Sequence, residues 1–260
     1  MKGVWHWLKS SSKMKRWIFL VLVGIVLTCY GIAKILVQKE MEFSDAGKVV
    51  VIFVIGFTCI VLGLIFLNKR NMELIEKIQA DLQEILSERR YTHSVGVMEM
   101  AGELAKIYSV DVETAKIAGL LHDNAKEISD EEMLKYVEKN NIEINEFEKH
   151  NVKILHGKVG ADIAKKRYGV SEQIQKAIEY HTTTNPNMDT LAKIVYVSYK
   201  IELTRKSDSY DIEQEREVAK HDLDEAVLLI INNTTKHLID SNKLIAVESI
   251  ETRNKIMLLH

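Results

Sequence analysis

Four histidines of this chain sit in similar company: His93 in YTHSVGV, His122 in GLLHDNAKE, His156 in ILHGKVGA and His181 in AIEYHTTT. Each falls at or near an expected helix end, beside small or apolar residues. Any one of the nine histidines, taken alone, reads as a surface residue or a satisfied core group. Four at helix ends read differently, because an all-α protein builds a metal pocket by converging helix ends that are far apart in sequence. His122 is followed directly by Asp123. Neighbours on a helix point about 100° apart, so both reach one ion only if it lies off the helix end or in the angle between them. Imidazole with carboxylate suits iron, manganese, zinc or cobalt and makes a poor magnesium cage. The dipeptide alone is weak evidence, since His221 and Asp222 repeat it in KHDLDEA, where acids in a first turn read as a helix start. Cys29 and Cys59 each lie inside a long apolar run and offer neither a disulfide framework nor a zinc spacing.

The elements that must position these side chains read as helices throughout. One proline and twelve glycines stand against many Ala, Leu, Ile, Glu and Lys residues, which favours an all-α fold over a turn-rich sandwich. Apolar residues at helical spacing predict a connecting helix over 71–89. Further helices are expected at 92–108, 111–122, 129–140, 145–155, 156–168, 171–181, 189–204, 222–239 and 247–258. Ser129 with Glu132 makes a capping box, and Gly169 stands where a helix should stop.

Ahead of them lie two apolar runs. Residues 17–37 contain one lysine, Lys34, near their end, and residues 49–67 contain no charge. At about 1.5 Å per residue each covers the roughly 30 Å hydrocarbon layer. A cleaved signal peptide would need a shorter core and a small-residue cleavage site, and neither is evident. Lys2, Lys9, Lys13, Lys15 and Arg16 flank the first run and Lys69 and Arg70 the second, so the positive-inside rule puts both ends of the hairpin in the cytoplasm. The expected organisation is two membrane spans within 1–70, a connecting helix at 71–90 and a helical domain at 91–260, in a multi-pass protein of the cell membrane whose soluble domain is cytoplasmic. The formal net charge of −2 hides an asymmetry. Residues 1–16 carry five basic and no acidic groups and residues 17–70 carry five against three, which leaves 71–260 at −9. An acidic soluble part argues against long nucleic acid as a partner.

From about residue 82 to 258 the chain resembles the HD-domain metal-dependent phosphohydrolases, and among them the YqeK-type symmetrical bis(5'-nucleosyl)-tetraphosphatases. The blocks that carry the resemblance are RRYTHSVGV, AGLLHDNAKE, ILHGKVGA, AIEYHTTT, KIVYV and DLDEAVLLIINNT, in that order. The resemblance implies a helical HD-domain bundle with His93, His122, Asp123, His156 and His181 as metal ligands. It implies one or two divalent transition-metal ions, iron first, with manganese or cobalt as alternatives, and cleavage of diadenosine tetraphosphate to two ADP. Its expected partners are a small-molecule nucleotide and the membrane, with a homodimer left open. Asp123, Lys126 and Arg205 are the expected catalytic groups, and Lys126, Arg205, Thr182 and Thr183 the expected phosphate contacts. One position departs from the pattern: where the family carries an aspartate in a segment like V-A-D-Y-I-E-P-x-R, this chain runs VSYKIELTR, with Tyr199 in the aspartate's place. A neutral phenol with a pKa near 10 is a poor substitute for carboxylate toward a divalent ion. Glu202, three residues on with a longer side chain, is the candidate replacement. The competing expectation is a degenerate HD module that binds nucleotide or metal and signals to a membrane partner.

Overall fold

The computed structural model describes residues 30, 34, 45–206 and 211–259, and every regular element among them is helical. In chain order these are α1 (Asp45–Ile85), α2 (Glu88–Ile107), α3 (Val112–Leu121), α4 (Asp130–Lys139) and α5 (Glu146–His150). A 3-10 turn at Val152–Leu155 follows, then α6 (His156–Tyr168), α7 (Glu172–Tyr180), α8 (Thr190–Ile201), α9 (Ile212–His221), α10 (Leu223–Asp240) and α11 (Val247–Leu259). The chain divides into two compact units, Met1–Asn71 and Met72–His260.

In the first unit, the expected span at 17–37 falls outside the described residues apart from positions 30 and 34. The run at 49–67 lies within α1, and Val54–Ile85 is the one described segment long and apolar enough to cross a membrane, judged by length and composition. Val54, Phe57, Leu62, Leu64 and Ile65 on it are all more than half exposed.

In the second unit, α8 is the central element. Its sequence TLAKIVYVSYKI is apolar nearly all round, and a helix of that kind must be enclosed. Leu191, Ala192, Ile194, Val195, Tyr196, Val197, Ser198 and Ile201 are buried, and α8 packs on α2, α3, α7 and α10. Leu104, Leu120, Leu121, Ile178 and Ile230 join it in one core with Ile78 and Leu82, each contributing about 1.5–3 kcal/mol by leaving water. A smaller apolar cluster of Ala125, Met133, Val137, Leu155 and Val159 sits under α4 and the start of α6.

Side-chain caps set where the helices begin. Asp111, Ser171 and Asp189 accept hydrogen bonds from the Thr114, Ile174 and Ala192 amides, and Ser129 and Asn145 form full capping boxes with Glu132 and Glu148. Gly169 ends α6 in the left-handed conformation at φ 66°, which costs glycine nothing. Asp222 caps α10 by accepting from the Asp224 and Glu225 amides, while His221 is exposed and pairs with Glu217, so that repeated dipeptide is a helix start.

Two expectations need correction, and one helix was missed. The helix expected to run to 89 breaks at Ser87, whose amide and hydroxyl donate to Glu127, and Arg89 and Arg90 therefore belong to α2. The helix expected over 145–155 divides at Asn151 (φ −139°, ψ 62°) into α5 and the 3-10 turn. Helix α9 was not expected, because IEQEREVAKH has almost no apolar stripe and buries only Glu215 and Ala219.

Candidate metal centre

The four histidines arrive from four separate places in the fold. His122 and His181 are the residues that end α3 and α7, His156 opens α6 directly after the 3-10 turn, and His93 lies in the second turn of α2. Close backbone approach makes this possible at Gly157, where a Cβ would stand 2.8 Å from the Glu179 carbonyl oxygen. No side chain fits between the start of α6 and the end of α7, so His156 and His181 are pressed together.

Each imidazole is held by the nitrogen that faces away from the centre. His122, His156 and His181 donate Nδ1–H to the carbonyls of Gly119 (2.7 Å), Lys153 (2.6 Å) and Ile178 (2.6 Å), three residues back in each case. His93 Nδ1 donates instead to Glu202 Oε1 at 3.0 Å. These partners assign the tautomer: every Nδ1 carries the proton and every Nε2 presents a lone pair. The Nε2 atoms then meet in pairs, His93 with His122 at 3.2 Å and His156 with His181 at 3.1 Å. Two lone pairs facing each other at that distance repel unless a cation lies between or beside them.

Asp123 joins the two pairs. Its Oδ1 lies 3.2 Å from His156 Nε2 and 3.5 Å from His181 Nε2, and its Oδ2 lies 3.5 Å from His122 Nε2 and 4.0 Å from His93 Nε2. Oδ1 is buried without a hydrogen-bond donor among the described residues, which is costly unless something positive meets it. His93–His122–Asp123 and Asp123–His156–His181 are thus two buried donor sets sharing one carboxylate, each with its ligand atoms within 4.8 Å of one another. The set fits a divalent transition-metal site.

Electrostatics keep the donors in their ligating forms. Burial pushes His181 down to about 3 and His93 down to about 4, the latter with help from His122 and against the Glu202 hydrogen bond. Burial also lowers His156. For Asp123, burial acts to raise the carboxyl, but His122, His156 and His181 outweigh it and hold it well below its usual range. The sign for stability follows: the unfolded chain takes up protons on these histidines near 6.5, whereas the folded chain refuses them until about 4 or lower. The contribution of these histidines to the stability of the metal-free protein is therefore fully present above about pH 6.5 and is lost as pH drops toward 4. Thermal melting of chelator-treated protein across that window should show Tm declining steadily, and a flat Tm would count against burial holding these histidines neutral.

Cations rim the centre. Arg90 donates to Asp123 Oδ2 at 2.7 Å, and Lys126 Nζ lies 3.2 Å from His156 Nε2, its own pKa lowered by burial. Lys126 is positioned by the tight turn after His122, in which its amide donates to the Asp123 carbonyl. The Arg205 guanidinium lies over the Tyr199 ring, 4.8 Å from its centroid. Thr182 and Thr183 follow His181 directly but line a separate surface cavity of about 110 Å³ with Glu148, Lys158, Glu179 and Glu248. Arg90 escaped the sequence reading, although it stands three residues before His93, on the same helix face.

Glu202 proves to be a support of His93. It is buried at the end of α8, where the Thr204 amide and hydroxyl donate to it at 2.7 Å each. Burial favours its protonated form, yet these bonds and His93 keep it ionised. Its place depends on Gly96, where a Cβ would lie 2.6 Å from Glu202 Oε2. Gly96→Ala should leave the fold intact, since only the end of a side chain has to move. It should weaken metal binding about 10–100-fold, the usual range for a lost outer-shell partner, measurable by titration of the chelated protein.

Comparisons with known proteins place this arrangement. The HD-domain family matches residues 90–204. The symmetrical bis(5'-nucleosyl)-tetraphosphatase of Bacillus subtilis is 35% identical over 69% of this chain and 95% of its own length. The Staphylococcus aureus protein of the same name is 32% identical over 69% of this chain and 93% of its own. A crystal structure of a predicted HD superfamily hydrolase involved in NAD metabolism, from Clostridium acetobutylicum, superposes with a TM-score of 0.68 at 38% identity, covering 71% of this chain and 97% of that one.

Proposed function

This chain belongs to the HD-domain family and is an HD-type phosphohydrolase acting on nucleotides, and from that premise we propose that it cleaves diadenosine tetraphosphate symmetrically to two ADP. The observation that carries the reading is the convergence of four lone-pair-bearing Nε2 atoms on the two oxygens of Asp123. His93, His122, Asp123, His156 and His181 would hold the metal, with iron preferred and manganese or cobalt as alternatives. Bound there, a divalent ion supplies polarisation of a phosphoryl oxygen and a water of lowered pKa. The chain's own groups do the rest. Lys126 and Arg205 offset the charge of the phosphate chain, Asp123 and the histidines fix the donor geometry, and Thr182 and Thr183 offer hydroxyls to the outlying part of the substrate.

The anchor belongs to the same proposal. The apolar runs at 17–37 and 49–67, with basic residues outside them, would hold the domain at the cytoplasmic face of the membrane, where it could also pair as a homodimer.

The test uses the full-length chain in detergent, loaded with iron, manganese or cobalt and given diadenosine tetraphosphate. Release of ADP as the sole nucleotide supports the proposal; ATP with AMP would show asymmetric cleavage and refute it. A specific observation favours a second reading, binding and signalling without turnover. Tyr199 supplies a ring where a second carboxylate would complete the donor set, and Asp123 is the one carboxylate in the described clusters. Metal and nucleotide binding with no product would select that reading.

A further inference from the structure

Tyr199 lies in the last turn of α8 beside the centre, and neither metal binding nor the phosphate contacts above give it a task. Its ring stands against three of the four histidines, with centroids 5.8 Å from His93, 5.6 Å from His122 and 5.2 Å from His181. Arg205 lies over the ring at 4.8 Å and Lys200 at 5.2 Å. Packing on several sides restricts the ring and directs its hydroxyl. Its surroundings are charged: Lys200, Arg205, Asp123 and Lys126 are the groups whose fields reach the phenol. The Nε of Arg205, the cation over the ring, is buried without a hydrogen-bond partner among the described residues.

An oriented hydroxyl donor and an unpaired guanidinium N–H, both flanked by lysines and set beside a metal-binding cluster, suit an oxyanion with several acceptor oxygens. We propose that Tyr199 is a substrate-binding residue whose hydroxyl donates to a non-bridging phosphate oxygen, while its ring holds the Arg205 guanidinium aimed at the same phosphate chain. The assignment rests on the hydrolase reading and goes beyond it, because it gives the aspartate-to-tyrosine departure a function toward the substrate instead of toward the metal.

The experiment compares metal-loaded full-length wild type, Tyr199→Phe and Tyr199→Ala by metal content and by calorimetric titration with ADP and with inorganic pyrophosphate. Phenylalanine keeps the ring and removes only the donor. It should retain wild-type metal content and bind both probes roughly tenfold more weakly, the size of one hydrogen bond to a charged group, with KM rising accordingly. Alanine, which also frees Arg205, should weaken binding further. Unchanged affinity in Tyr199→Phe would reduce the side chain to a spacer and overturn the proposal. Loss of metal in Tyr199→Phe would make the hydroxyl a metal ligand and overturn it as well. If wild type itself binds neither probe, the hydrolase reading fails and takes this assignment with it, a result distinct from equal binding by wild type and Tyr199→Phe.

Discussion

Replacing Asp123 by alanine is expected to strip the protein of nearly all bound metal and to reduce hydrolysis by about a thousandfold or more, about 4 kcal/mol of transition-state stabilisation. The size of the effect comes from sharing. Oδ1 serves His156 and His181 while Oδ2 serves His122 and His93, so a single substitution takes the carboxylate from both donor sets. Each set is left with two neutral imidazoles, too weak a cage for a divalent ion in a buried place. Asp123→Asn separates charge from shape: the amide fills the same volume and offers N–H groups to the histidine lone pairs, so the fold should survive and metal should still be lost. Elemental analysis per chain, with melting curves as the control for folding, checks both. Retention of full metal content by Asp123→Asn would show that the carboxylate is not a shared ligand.

His181→Ala is the matching test of the other kind. It removes a donor from the Asp123–His156–His181 set alone and leaves His93–His122–Asp123 complete. Metal content should fall by about half relative to fully loaded protein. Were both donor sets filled in the working enzyme, activity should drop by about two to three orders of magnitude, because a two-ion site would lose one of the ions that stabilise the attacking and leaving oxygens. His181 is fully enclosed, so the truncation also leaves a cavity that lowers stability by about 1–3 kcal/mol. That cost must be measured separately by thermal melting of the metal-free variant. A variant that loses all metal would mean that the two sets fill only together, and one that loses none would remove His181 from the site.

Much of the site was legible because its ligands lie at helix ends whose caps can be read locally. Asp111, Ser129, Ser171 and Asp189 start helices through side-chain bonds to the amides three positions on, and the helices begun by Asp111 and Ser171 end at His122 and His181. Tyr199 was legible as a departure for a similar reason, since its position within VSYKIELTR needs only a local register. The relations across the fold were not legible. Glu202 looked like a substitute ligand because it lies three residues from Tyr199, yet the turn after α8 carries its carboxylate to the outer nitrogen of His93, 109 positions away in sequence. Arg90 was hidden by a helix boundary: with the break at Ser87 it joins α2 and meets Asp123, whereas a helix starting at 92 leaves it in a linker. Helix α9 was invisible because its stability comes from the Asp211 cap and a few long contacts such as Asn233 Nδ2 to Glu215 Oε1, and an apolar stripe is what periodicity detects.

By itself the sequence determined the all-helical class and the apolar runs that precede the domain, since these depend on residue types at separations of one to four positions, where backbone hydrogen bonding and side-chain period dominate; the candidate ligand set came from the order of blocks shared with a known family. Only the tertiary structure decided that the four imidazoles form two pairs on opposite oxygens of one carboxylate, that Glu202 supports His93, and that Arg205 rests on Tyr199. Those arrangements come from the packing of α2, α3, α6, α7 and α8 against a shared core, where contacts as close as Gly157 against Glu179 set positions to within an ångström, and no local rule carries that information along the chain.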